Sequence, residues 1–270
     1  MKIFGIKFGE AVEQGVSQRL NLKYGDGHSF DVYRMGEERA PVVVHFSGAK
    51  PEERSKYAPM ASRLAKSGFA VMVTSLPGQS GEDNVGTAKA FAEHLKFWGA
   101  GEKLELNSVF FSGDLAGAWT AFTAGLKACA DESFFLKPIG LLGFSGVYEP
   151  MELAKLDFRA ARKMIKTGFG VGKEGTLPEG VARLFTENSP PVFFAHSDAD
   201  NLSFAGTAQL KSAIRRTGVP CSEYRAAFSV VRRDFYLKPD SAAGASVSAA
   251  AVRFMSEVLK GDFKGEYTEI

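Results

Sequence analysis

The stretch Val109-Phe110-Phe111-Ser112-Gly113-Asp114-Leu115-Ala116-Gly117-Ala118-Trp119-Thr120-Ala121-Phe122 decides the fold. Three apolar residues in a row, Val109 to Phe111, predict a strand buried on both faces. Trp119, Phe122 and Leu126 recur at three and four residues and predict a helix directly behind it. Between them sits G-D-L-A-G. A strand that turns straight into a helix through G-x-S-x-G lifts a serine nucleophile onto a tight turn, and the glycines let the helix start close to the strand. Gly113 and Gly117 are in place, and Ala116 is small. The middle residue is Leu115, so the turn is present and its nucleophile is absent.

Buried-strand composition recurs on both sides of this stretch. Pro41–Phe46, Phe69–Thr74, Pro138–Phe144, Pro191–His196 and Cys221–Ala227 all read as strands. Helices are predicted from Tyr57 to Ala65, ended at Gly68, and around Ala88 to Leu95. Two more run from Leu202 to Arg216 and from Ser241 to Leu259, the latter ended by Gly261. Near the start, Val16–Tyr24 and Phe30–Tyr33 flank Gly25-Asp26-Gly27 and predict a hairpin, with His28 a solvated turn residue. The stretch from Glu149 to Asn188 differs. It is charged, with one helical piece from Met151 to about Thr167, followed by Gly168, Gly170, Gly172 and Gly175. The alternation predicts one α/β domain over residues 1–270: a doubly wound, mostly parallel sheet flanked by helices. Residues 149–188 are expected as a small lid insertion over it.

Composition narrows the partners. With 45% hydrophobic residues and 23 Phe among 270, the chain can bury a large core. A net charge of +2, with no Lys/Arg cluster interleaved with aromatics, points away from nucleic acid. Cys129 and Cys221 form no metal or redox spacing and suit a reducing compartment. Lys7 and Glu10 interrupt any leader-like apolar run, and no run reaches membrane-spanning length. The expectation is a cytoplasmic protein with no membrane span, no metal and no cofactor.

Five motifs stand in order at strand ends or before the last helix: His45-Phe46-Ser47-Gly48, G-D-L-A-G, Phe144-Ser145-Gly146-Val147-Tyr148, His196-Ser197-Asp198-Ala199-Asp200 and Arg233-Asp234-Phe235-Tyr236-Leu237. In this order they resemble the α/β-hydrolase fold superfamily, in its esterase/lipase branch near the kynurenine-formamidase-like carboxylesterases. The resemblance covers about residues 16–259. It implies a Ser–Asp–His triad whose serine falls on Leu115, acid on Asp200 and histidine on Arg233. It also implies an oxyanion hole from backbone N–H groups of Ala116 and of Ser47 or Gly48, with Phe46 and Ser47 replacing two of the family's loop glycines. Ser145 lies beside the same site.

The chemical consequence is direct. Leu115 has no lone pair to attack with. Arg233 stays protonated at physiological pH and cannot act as a base. His28, His45, His94 and His196 all precede the last strand, and His45 is expected to hydrogen-bond its own loop. Ser112 should point down from the turn, and neither it nor Ser145 has an evident base. Glycine spacing puts Leu115, not Asp114, at the turn. Asp198 and Asp200 read as an acid turn rather than a calcium loop. The glycines of Gly168–Lys173 lack the strand and Ser/Thr of a phosphate loop. A pseudo-hydrolase that binds a small apolar or acyl ligand, a protein partner or a second copy is the expectation. A carboxylesterase or amidase with displaced catalytic groups is one alternative. A non-hydrolytic enzyme reusing the pocket is the other.

Overall fold

The computed structural model describes residues 12–25, 27–48, 51–75, 81–131, 133–171, 176–198, 200–226 and 234–265. Strands β1 (Val16–Tyr24), β2 (His28–Met35), β3 (Ala40–Ser47), β4 (Ala70–Ser75), β5 (Leu104–Asp114), β6 (Gly140–Phe144), β7 (Val192–Ser197) and β8 (Cys221–Ala226) form one sheet in the order 1-2-4-3-5-6-7-8. The pairs β1–β2 and β2–β4 are antiparallel, and every other pair is parallel. The hairpin turns through Gly25 and Gly27, both with positive φ. His28 opens β2 and stacks on Tyr24 instead of standing in solvent, with ring centroids 5.3 Å apart.

Helices cover both faces, as side-chain alternation along buried parallel strands requires. On one face α2 (Gly81–Gly101), α3 (Ala116–Ala130) and α7 (Thr207–Thr217) pack on Val44, Phe46, Phe111, Leu141 and Phe194. On the other, α1 (Ala58–Lys66) and α8 (Ala242–Lys260) pack on Val43, Phe110, Leu142 and Phe193. The chain leaves β3 toward β4 on one side and β5 toward β6 on the other. The carboxyl ends of β3 and β5 therefore flank the point where the winding reverses, where open α/β sheets place their ligands.

Three segments differ from the sequence expectation. The Met151–Thr167 helix is two helices, α4 (Pro150–Ala154) and α5 (Arg159–Gly168), with Phe158 extended between them. Leu156 and Phe158 both turn into the core, and an i, i+2 spacing suits extended chain, not one helix face. The Leu202–Arg216 helix is split into α6 (Asn201–Phe204) and α7 by Gly206, which has φ +85 and packs on the Glu149 side chain. Strand β5 begins at Leu104, ahead of the apolar run, because Leu104 and Glu105 still pair with Ala40 and Pro41. Gly172 and Gly175 lie outside the described residues.

The strand–helix turn is as tight as its glycines allow. A Cβ at Gly117 would overlap the Phe46 carbonyl, and one at Gly113 would overlap the Gly117 carbonyl. Both obstacles are backbone and cannot rotate away. Gly117→Ala is therefore expected to destabilise the fold by about 3 kcal/mol through overpacking. Chemical denaturation measures it, and a cost below about 1 kcal/mol would mean that α3 can slide.

Candidate functional site

Leu115 links β5 to α3 with φ +49 and ψ −122, a backbone conformation that is costly for a branched side chain. It is one of four non-glycine residues with positive φ among those described, and Ser145, at φ +47 beyond β6, is another. The strained turn is retained although its residue offers no nucleophile. Leu115→Gly should relieve about 1–3 kcal/mol of strain, offset by roughly 1 kcal/mol of added chain entropy. The net expectation is a gain of about 1 kcal/mol, read as a Tm higher by about 2–4 °C; a lower Tm would refute the strain.

Below the turn, Asp114 is a hub. Its carboxylate is 1% exposed. Oδ1 accepts from the Gly48 N–H at 2.7 Å, and Oδ2 accepts from the Tyr57 hydroxyl at 2.8 Å and the Tyr236 hydroxyl at 2.6 Å. His45 Nε2 lies 3.5 Å from Oδ1. Burial alone would raise the Asp114 carboxyl. His45, Tyr236 and the Gly48 N–H outweigh it and hold the group below the ordinary carboxylate range. Burial, and then the Asp114 charge, push both tyrosines well above their ordinary value, so they remain neutral donors. One carboxylate thus ties together the turn, the loop after β3, the 3₁₀ turn Pro51–Tyr57 and the 3₁₀ turn Phe235–Leu237. The Pro51–Tyr57 turn is itself anchored by Arg54, whose buried guanidinium pairs with Asp31 on β2 at 3.1 Å.

His45 does not bond its own loop as expected. Its Nδ1 meets Ser112 Oγ at 3.0 Å. Parallel pairing sets His45 opposite Ser112 across β3 and β5, and both side chains face the α1 and α8 side. Ser112 therefore points below the turn, as expected. Ser112, His45 and Asp114 form a serine–histidine–aspartate chain, but the three are 1%, 0% and 1% exposed.

Of the oxyanion-side residues, Gly48 and Ala116 come together at the turn, a Cβ at Gly48 standing 3.6 Å from the Ala116 N. Gly48 sits against Leu115, since a Cβ there would stand 3.1 Å from the leucine Cβ and 2.9 Å from the Asp114 carbonyl. Its N–H, one expected donor, is engaged by Asp114. Ala116 is the first residue of α3, where an N–H has no partner within the helix. Ser47 ends β3 opposite Ser75, and Phe46 is fully buried on the α3 side. Ser145 donates its backbone N–H to the Ala195 carbonyl at 2.7 Å.

The segment between β6 and β7 closes over this end of α3. Gly168, at the end of α5, would bring a Cβ within 2.8 Å of the Ala116 Cβ. Phe169 is fully buried edge-on to Trp119 at 5.9 Å, and Trp119 Nε1 donates to the Glu179 carbonyl at 2.8 Å. Glu149 accepts from the Ala182 N–H at 2.8 Å and pins the segment to the start of α7.

Asp200 is buried beyond β7 and caps α6, accepting from the Leu202 N–H at 3.2 Å. Arg233, the expected partner, lies outside the described residues. Between β7, β8 and α7, His196 Nε2 meets Glu223 at 2.7 Å and Lys211 meets the same carboxylate at 2.6 Å. Burial opposes this carboxyl's ionisation, yet the two partners bring it down to about 2. Asp198 pairs with Arg225. Among the described residues no group of three or more acidic, histidine or cysteine side chains is placed to hold a metal, and no helix is long and apolar enough to cross a membrane. Sequence reading missed the Asp114 hub; Asp114 beside the turn was visible, but its two tyrosine partners were not.

No protein-family model matches this chain, and no curated protein matches it. Solved structures do. Esterase B from Lactobacillus rhamnosis is similar with a TM-score of 0.72 at 17% identity, over 93% of this chain and 89% of that one. Esterase LipW from Mycobacterium marinum gives 0.75 at 14% identity, over 93% and 84%. An acetyl ester-xyloside bifunctional hydrolase from Caldicellulosiruptor lactoaceticus gives 0.69 at 14% identity, over 94% and 99%. The chain has the α/β-hydrolase fold, and its structural neighbours are esterases and hydrolases.

Proposed function

We propose that this chain is a hydrolase scaffold that has lost hydrolysis and binds a small apolar or acyl ligand at the carboxyl ends of β3 and β5, above Leu115. A single observation carries the reading. The costly turn conformation is kept at a residue, Leu115, whose side chain cannot attack a carbonyl. The turn then serves to shape the floor of that site, and an isobutyl group there favours an apolar group over a carbonyl carbon awaiting attack. Arg233 at the histidine position removes the base, and Asp200 would face it as an ion-pair partner. The esterase neighbours suggest the ligand's class, an acyl chain or short ester. The resemblance to kynurenine-formamidase-like carboxylesterases suggests the same site. Residues 149–188 act in this reading as a lid.

A displaced hydrolase is the second reading, favoured by the Ser112–His45–Asp114 chain. Its burial argues against it, because a nucleophile 1% exposed and enclosed by β3, β5 and α1 meets no substrate. A serine-directed fluorophosphonate probe with thermal-shift titration of short-chain fatty acids and their esters separates the two. The proposal expects no labelling and a ligand-dependent rise in Tm. Stoichiometric labelling at Ser112 or Ser145 would overturn it.

A further inference from the structure

The charge of this molecule is unevenly placed. The whole chain carries +2, yet residues 151–168 hold five basic and two acidic side chains, a local +3, so the remainder sums to −1. The five are Lys155, Arg159, Arg162, Lys163 and Lys166, all exposed. Helix α5 has its apolar side, Ala161, Met164 and Ile165, packed into the core with α3, and its basic side faces outward.

Helix stability does not explain this arrangement. Arg159 and Lys163, and Arg162 and Lys166, are like charges at i, i+4, which repel. Arg159 opens the helix, and its first turn has no acid, so the positive end of the macrodipole faces positive side chains. Asp157, 91% exposed, pairs with Arg162, and Glu152 pairs with Lys155. A segment that breaks local rules without a stabilising return is where function is expected. Two exposed apolar residues stand near its start, Met151, 56% exposed on α4, and Phe204, 39% exposed on α6. Each stands two residues from the Glu149–Gly206 contact that joins those elements.

We propose that this basic outer face, with Met151 and Phe204 near its start, docks the protein on an anionic lipid surface. A cluster of four to eight Lys/Arg on an amphipathic helix matches the field of anionic headgroups. The apolar pair suits the headgroup boundary better than it suits an acidic polypeptide. Because the end of α5 meets Ala116 at Gly168, docking would set the turn at Leu115 close to the membrane. The inference is independent of whether the site at that turn binds or hydrolyses anything.

Cosedimentation of the full chain with phosphatidylcholine vesicles, with and without about a third phosphatidylserine, tests it. Binding is expected only to the anionic vesicles and should fall steeply as salt is raised. Replacing Lys155, Arg159, Arg162, Lys163 and Lys166 by Gln should weaken binding by about a hundredfold or more. A control variant with Lys96, Lys103, Lys127, Lys137 and Lys260 changed to Gln reaches the same net charge and should bind as wild type. The first variant removes the like-charge repulsion together with the exposed Asp157–Arg162 and Glu152–Lys155 pairs, which contribute little, and a thermal melt matching wild type shows that a loss of binding is not unfolding. No binding to anionic vesicles, equal loss in both variants, or binding to polyglutamate without binding to vesicles would each overturn the proposal.

Discussion

Asp114→Ala should lower stability by about 3–5 kcal/mol, the cost of removing one member of a buried charged network. Three donors lose their acceptor at once: the Gly48 N–H, the Tyr57 hydroxyl and the Tyr236 hydroxyl. Tyr57 and Tyr236 are 0% and 2% exposed, so water cannot replace the carboxylate without rearrangement. Each orphaned neutral donor costs about 1–3 kcal/mol, and their shared location keeps the sum below simple addition. Against a total of about 5–15 kcal/mol, that is a large fraction. Asp114→Asn keeps the volume and one acceptor and should cost less. The acid side separates charge from shape. Asp114 titrates below the ordinary carboxylate range, so its contribution is fully present above the unfolded value. It is lost as pH falls through the lower folded one. The gap between wild type and Asp114→Asn should therefore narrow on acidification from neutral pH to below about 3. Urea denaturation across that range measures it; a constant gap would mean that the carboxyl's charge contributes nothing.

Rebuilding the chemistry should take two substitutions, and one should fail. Leu115→Ser supplies a hydroxyl but leaves Arg233, which cannot accept its proton. On the proposed reading, Leu115→Ser with Arg233→His would restore serine, acid and histidine in the order that the resemblance implies, with Asp200 as the acid. The strained turn already presents position 115 as a nucleophile turn requires. Each surviving oxyanion donor is worth about 10²–10³ in rate. The Ala116 N–H, at the start of α3, is one such group, whereas the Gly48 N–H is held by Asp114. Slow but measurable hydrolysis of a short p-nitrophenyl ester is the expected result for the double variant, with none for either single one. A folded, inert double variant would place the fault at the end of β3, where Phe46 and Ser47 stand at positions that the resemblance gives to glycine.

The sequence made the strands legible because buried parallel strands are written as apolar runs, as at Val42–Val44 and Phe69–Val73. It made the turn legible because Gly113 and Gly117 answer backbone-to-backbone contacts that no other residue fits. The Asp114 hub was hidden. Its tyrosine donors lie 57 and 122 residues away, and nothing local marks Tyr57 or Tyr236 as polar-tipped rather than plain core aromatics. The break at Gly206 was hidden for the same reason, since its cause is the Glu149 side chain from a distant segment. His45 was misread as serving its own loop because its partner, Ser112, is set by strand register, not by sequence proximity.

Ester hydrolysis by the unmodified protein, compared with a Ser112→Ala/Ser145→Ala variant at neutral pH, tests the central claim most directly. The account predicts background rates for both, because Leu115 offers no nucleophile and Arg233 no base. Turnover well above background would contradict it. If that turnover survived the loss of both serines, it would require a catalytic group other than any serine considered.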